Sequence, residues 1–319
     1  MPTSKKVNCR CNIPGMATQK TITTRGLAGK TQRSGGSLFG GRFLAVAMLF
    51  LSFGLARVAA AQSNLIFDDE FPGHSLDTSK WMIETLPGHG QGTFRAESVF
   101  YKPEAIVVDD HTLRIKTERI PSTDPKTGYV FPLRTGRIQT HQAFLFGKFE
   151  FRAKLPRGAG LWPAIWLRTP YGQPFNGEID VFEGFGSHPN VIQSTLHTWS
   201  NGAETHQYCA WLMVQPTPDD KKFHLPNCTR VDQTINLPSD LASDYHVYTM
   251  EWQPNQVTWS IDGQVYFQVQ KEVPQVPMTI VLNTAFAHNW DGGSPDTTVL
   301  PQSFDIKYVR VYGTPVAPK

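Results

Sequence analysis

Along most of this chain, apolar and polar residues alternate over short stretches, and helical spacing is scarce. The runs Thr112–Thr117, Gly147–Lys154, Val191–Trp199, Tyr245–Trp252, Val257–Ile261, Met278–Asn283 and Phe304–Tyr312 each read as a strand. Turn signals such as Asp262-Gly263, Asn201-Gly202 and Asp291-Gly292-Gly293 separate them. Many short strands with Gly and Pro between them predict an all-β sandwich or barrel, and the length favours a two-sheet jelly roll. The clearest alternation is Phe149 to Lys154, with Phe149, Phe151 and Ala153 on one face and Glu150, Arg152 and Lys154 on the other. Such a strand packs on one side and is wet on the other, and a sheet of this kind is a natural floor for a sugar chain.

The first 61 residues break the pattern. They hold nine of the 30 basic residues and none of the 27 acidic ones, which leaves 21 basic against 27 acidic groups in residues 62–319. The basic balance therefore belongs to a leader, and the remaining domain gives no electrostatic reason to expect a nucleic-acid partner. Phe43 to Ala56 is an apolar run of 14 residues, short of the ~20 that span a bilayer. With Arg42 before it and Val58-Ala59-Ala60-Ala61 after it, the segment reads as a secretory signal peptide cut near Ala61. An uncleaved anchor is the alternative, and Met16 offers a later start. A secreted protein, free of the membrane after cleavage and monomeric, is the expectation. Export also suits the cysteines: Cys9 and Cys11 leave with the leader, and Cys209 and Cys228 remain as an even pair. Joined, they would close a loop worth roughly 3 kcal/mol; two free thiols are the alternative.

The chemistry concentrates in Gly177-Glu178-Ile179-Asp180-Val181-Phe182-Glu183-Gly184. Alternation puts Glu178 and Asp180 on one face and Ile179 and Val181 on the other. Unbroken, it would send Glu183 to the apolar face. One extra residue, a β-bulge around Val181-Phe182, returns Glu183 to the other two acids. Crowded carboxylates raise at least one pKa, giving a protonated and an ionised acid together. That is the pair a retaining glycosidase needs, about 5–5.5 Å apart. The bland reading, an exposed acidic edge strand, usually has Lys or Arg interspersed, and here there is none.

Trp162 and Trp166 share a face of the run Leu161–Leu167, where two indoles would make a sugar platform unless both are core. His197, in a predicted strand after the acids, can hydrogen-bond a carboxylate or a sugar hydroxyl, or serve structure alone. Trp199 shares its face, and Trp290 and Asn283 are candidates for the opposite wall.

The carboxylate motif resembles that of glycoside hydrolase family 16, the laminarinases, lichenases and related polysaccharide hydrolases, in its bulged, laminarinase-like form. Other segments resemble the family in the same order: Phe67–Phe71, Leu76–Trp81, Gly147–Pro156, Gly160–Leu167, Tyr245–Tyr248 with Glu251-Trp252, and Tyr308–Tyr312. The resemblance covers residues 64–312 and implies a concanavalin A-like jelly roll with a concave cleft. It implies Glu178 as nucleophile, Glu183 as general acid/base and Asp180 between them, with no cofactor required. It also places Trp162 and Trp166 in the cleft. The implied substrate is a β-1,3 or mixed β-1,3/1,4-glucan. A transglycosylase, a hydrolase of another polysaccharide such as an exopolysaccharide or galactan, and a non-catalytic lectin-like module remain as alternatives. Two positions depart from the family pattern. Arg95 stands where laminarinase-like members often have Asn, which suits a substrate with different or acidic substituents. Lys307 stands where many members carry an Asp for structural calcium. A cation cannot ligate calcium, so that site would need Asp305 instead.

Overall fold

The computed structural model describes residues 64–88, 97–200, 203–216, 223–231, 235–237, 240–287 and 295–314. The leader, Arg95 and Trp290 lie outside the described residues. Among the described residues, two eight-stranded sheets face each other, as the alternating pattern predicted.

One sheet, here the front sheet, contains β1 (Arg137–Thr140), β2 (Leu161–Arg168), β3 (Gly177–Gly184), β4 (Val191–Ser200), β5 (Ala203–Met213) and β6 (Thr279–Phe286). Their order across the sheet is β5-β4-β3-β2-β6-β1, with Thr229–Arg230 beyond β5 and Trp81–Ile83 beyond β1. The back sheet runs from Gln264–Val269 through Gln256–Ile261, His246–Gln253, Gly147–Lys154, Gln302–Tyr312 and Leu113–Thr117 to Ile106–Val108. Leu65–Asp69 also pairs with Gln302–Tyr312.

The core lies between the sheets. Phe149 and Phe151 of the back sheet and Ile179, Val181 and Phe182 of the front sheet belong to one buried cluster. Phe182 packs against Tyr248 with ring centroids 4.3 Å apart and edge-on to Phe304 at 5.9 Å. Each such side chain contributes about 1.5–3 kcal/mol on burial. The strand Gly147–Lys154 alternates as read, but it belongs to the back sheet. Its wet face is therefore on the far side of the sandwich from the acids and is not their floor. Alternation tells which residues are wet, and not which sheet they belong to.

Cys209 and Cys228 form a disulfide. It ties β5 to Thr229–Arg230, which pairs parallel to it through Ala210 and Thr229. Near the family's calcium position, Asp305 is 7% exposed and accepts from Ser303 Oγ at 2.6 Å, with Lys154 Nζ at 3.9 Å. Lys307 Nζ donates to the Asp110 carbonyl at 3.3 Å. The Lys154 ammonium thus stands where a calcium ion on Asp305 would meet like charge.

Candidate active site

The expected bulge is present in β3. Ile165 and Trp166 are consecutive in β2 yet face Phe182 and Asp180, which leaves Val181 as the extra residue. On the other side, Asp180 faces Thr195 and Glu183 faces Gln193. Val181 and Phe182 both turn inward, 1% and 0% exposed, and Glu183 is thereby turned outward. The bulge's carbonyls are taken up inside the sandwich: Trp259 Nε1 donates to Asp180 O at 2.9 Å and Ser194 Oγ to Val181 O at 2.7 Å. Both ends of the strand are glycine, and at Gly184 a side chain would meet the Pro163 ring. A Cβ on Gly177 would lie 2.7 Å from Met278, and one on Gly184 2.8 Å from Leu155 and Pro163.

Glu178, Asp180 and Glu183 thus stand on the outer face of one strand, each with its own partners. Trp162 Nε1 donates to Glu183 Oε1 at 2.9 Å, and Gln193 Nε2 donates to Glu183 Oε2 at 3.1 Å. His197, directly opposite Glu178 across the β3–β4 pair, sets Nε2 3.1 Å from Asp180 Oδ2 and 3.8 Å from Glu178 Oε1. Its Nδ1 meets Glu204 of β5. Arg168 pairs across β2–β3 with Glu178 and lies on the same outer face. Its guanidinium sits 4.2 Å from the Tyr171 ring centroid and 5.3 Å from that of Phe175.

The electrostatics follow from this crowding. Burial, then the charge of Asp180, pushes the Glu178 carboxyl up to about 8, against the pull of His197, Arg168 and Arg137. Burial and Asp180 likewise push Glu183 to about 8, opposed by His197 and by the Trp162 N–H, and the charge of Glu178 adds to the rise. Three cations favour an ionised Glu178, and an ionised Glu178 in turn favours a protonated Glu183. For His197, burial opposes the charged form, but the hydrogen bond and charge of Asp180, then Glu178 and Glu204, outweigh it and raise the imidazole to about 10.

The flanking candidates divide. Trp162 and Trp166 are half-buried on the outer face, so neither is core. Trp199 is also half-buried, with Phe175 edge-on at 4.9 Å. Asn283 is 6% exposed and lies beneath the wall, accepting from Trp166 Nε1 at 2.8 Å and donating to Tyr101 OH at 3.5 Å. Several residues on this face escaped the sequence reading. Arg137 and Glu84 form a fully buried ion pair, the guanidinium 5.0 Å from the Trp166 ring centroid. Tyr101 donates to Glu97 at 2.7 Å. Gln193 had a signal, since it shares the parity of His197 in β4. Arg137, Glu84 and Glu204 had none, because their roles depend on which strands become neighbours. Glu178, Asp180 and His197 offer ligand atoms within 4.8 Å of one another, but a histidine held between carboxylates as a cation is a poor metal ligand.

A β-sandwich that turns three crowded acids and a pair of tryptophans out from one sheet is an arrangement suited to a glycoside hydrolase. Residues 95–310 match the family described as "Glycosyl hydrolases family 16", and the chain belongs to that family. It is 31% identical to glucan endo-1,3-beta-glucosidase A1 of Niallia circulans over 80% of this chain and 38% of that protein. It is 29% identical to a beta-glucanase of Rhodothermus marinus over 78% of this chain and 84% of that protein. The chain thus spans well under half of the first relative and most of the second. Among solved structures it resembles the endo-beta-1,3-glucanase of Pyrococcus furiosus, with a TM-score of 0.63 and 29% identity, over 80% of this chain and 96% of that one.

Proposed function

We propose that the protein is an exported, monomeric endo-hydrolase that cleaves a β-1,3- or mixed β-1,3/1,4-linked glucan with retention of configuration. The observation that carries this reading is the bulge in β3, which sets Glu183 beside Glu178 and Asp180 on the outer face. The names of the relatives support the substrate class. Export is supported by the leader's composition and by the Cys209–Cys228 bond.

In the first step a Glu178 carboxylate oxygen attacks the anomeric carbon and the glycosidic C–O bond breaks. Glu183 gives its proton to the leaving oxygen, which departs as a hydroxyl. In the second step the Glu183 carboxylate takes a proton from water, whose oxygen bonds to the anomeric carbon and releases Glu178. Each cycle consumes one water and restores both acids. Trp162 aims Glu183 through its N–H and, with Trp166, offers apolar ring surface to the sugar.

A reducing-sugar assay over laminarin, lichenan, agarose and xyloglucan tests the reading. Release from laminarin or lichenan is expected, lost by a factor of at least about a thousand in Glu178→Gln with glucan binding retained. Silence of the wild type on both β-glucans would overturn the substrate, and binding without any cleavage would leave a lectin.

A further inference from the structure

We propose that Glu204 is a positioning residue for this hydrolytic centre: from the neighbouring strand it grips His197 by Nδ1 and so presents Nε2 to Asp180 and Glu178. Nothing in its sequence surroundings marks Glu204 for this place. A second bulge brings it there. His197 faces Gln207 and Thr198 faces His206, but Trp199 faces Glu204, so Thr205 is the extra residue in β5. Thr205 Oγ1 instead bonds the Thr198 carbonyl at 3.1 Å. Without that slip Glu204 would point to the opposite face from His197. With it, Glu204 reaches Nδ1 from the solvent side, 39% exposed, while the imidazole is 16% exposed and Asp180 4%.

The imidazole therefore has a carboxylate at each nitrogen. A neutral ring has one donor and one acceptor, so meeting acids on both sides requires both nitrogens to donate, as in the imidazolium. The carboxylates facing it act in the same sense: Asp180 and Glu178 from β3 and Glu204 from β5 all raise its pKa, against burial. The arrangement works as an anchor. A ring bonded only to Asp180 could swing about its Cβ, whereas one pinned at both ends keeps a directed positive charge 3.8 Å from Glu178. The proposal rests on Glu178 as the nucleophile, but its first test does not.

The test compares the wild-type protein with Glu204→Gln and Glu204→Asp. His197 titration, followed by nuclear magnetic resonance of labelled histidine and assigned with His197→Gln, should move down by about one unit or more in Glu204→Gln. On the cleaved glucan, kcat should fall about tenfold with KM within about twofold, because a misaligned positioning group weakens the transition state more than the ground state. Glu204→Asp should recover most of both. An unmoved titration in Glu204→Gln would overturn the proposal, as would an Asp variant no better than Gln. If the wild type cleaves no polysaccharide, the functional reading falls, and the titration still decides whether Glu204 governs His197.

Discussion

The outer faces of the two sheets share one core and handle charge in opposite ways. On the back sheet, charges of opposite sign meet in the open: Lys148 lies 3.0 Å from Glu150, and Arg310 lies 2.6 Å from Glu70. On the front sheet, three acids of one sign share a strand, covered by tryptophan and backed by cations that do not fully neutralise them. Solvent screens the first arrangement, so each of its pairs is worth ~0–1 kcal/mol. In the second, desolvation and like charge act together, and protons are held far above their usual range. Charge is screened by solvent on one side of the molecule and desolvated on the other.

Substitutions can break this contrast. Beside the loss of cleavage in Glu178→Gln, the largest effect is expected from Glu183→Gln, which should lower kcat on an unactivated glucan by about 10²–10⁴-fold through loss of proton transfer. Azide rescue of turnover on an activated glycoside would check that only the acid/base is missing. Next comes Arg137→Met, which leaves Glu84 as a buried charge without its cation. A loss of about 3–5 kcal/mol in denaturant unfolding is expected. The third effect concerns pH. Glu178 and Glu183 hold protons more tightly folded than unfolded, so their favourable contribution is complete below the ordinary value of 4.5 and is lost as pH rises through about 8. Glu178→Gln should therefore melt above the wild type at pH 8 by a few degrees, on the order of 1 kcal/mol or more, and show no such gain at pH 4. The smallest change is expected for Lys148→Met on the back sheet, with stability within about 1 kcal/mol of the wild type and unaltered kcat. A back-sheet effect as large as that of Arg137→Met would erase the distinction between the faces.

Much of the front face was legible before any coordinates. The parity of Ile179, Val181 and Phe182 against Glu178 and Asp180 demanded a slip near Val181, and the slip is there. The same parity put Trp162 and Trp166 together. Periodicity carries this information because it is local. Glu204 was missed because its strand lacks the apolar rhythm there: Ala203 to Gln207 are all exposed, so no buried side chain betrays the extra residue. Arg137 was missed because its counterion, Glu84, comes from a segment more than 50 residues earlier. The wet strand Gly147–Lys154 misled for a related reason, since both sheets of a sandwich have a solvated side.

Trp259 belongs to the back sheet, yet its indole N–H crosses the interior to hold the carbonyl of Asp180. The scaffold's far layer thus reaches the strand of the three acids through the interior, by this bond and by Tyr266, whose hydroxyl lies 2.7 Å from the Ser194 Oγ that bonds Val181 O. Trp259→Phe would leave the exterior unchanged while freeing the peptide on which the acids are hung. Efforts to harden this protein by repacking its interior should therefore be scored by turnover as well as by melting temperature, because an interior that is tighter but lacks that donor could outlast the parent on heating and still work more slowly.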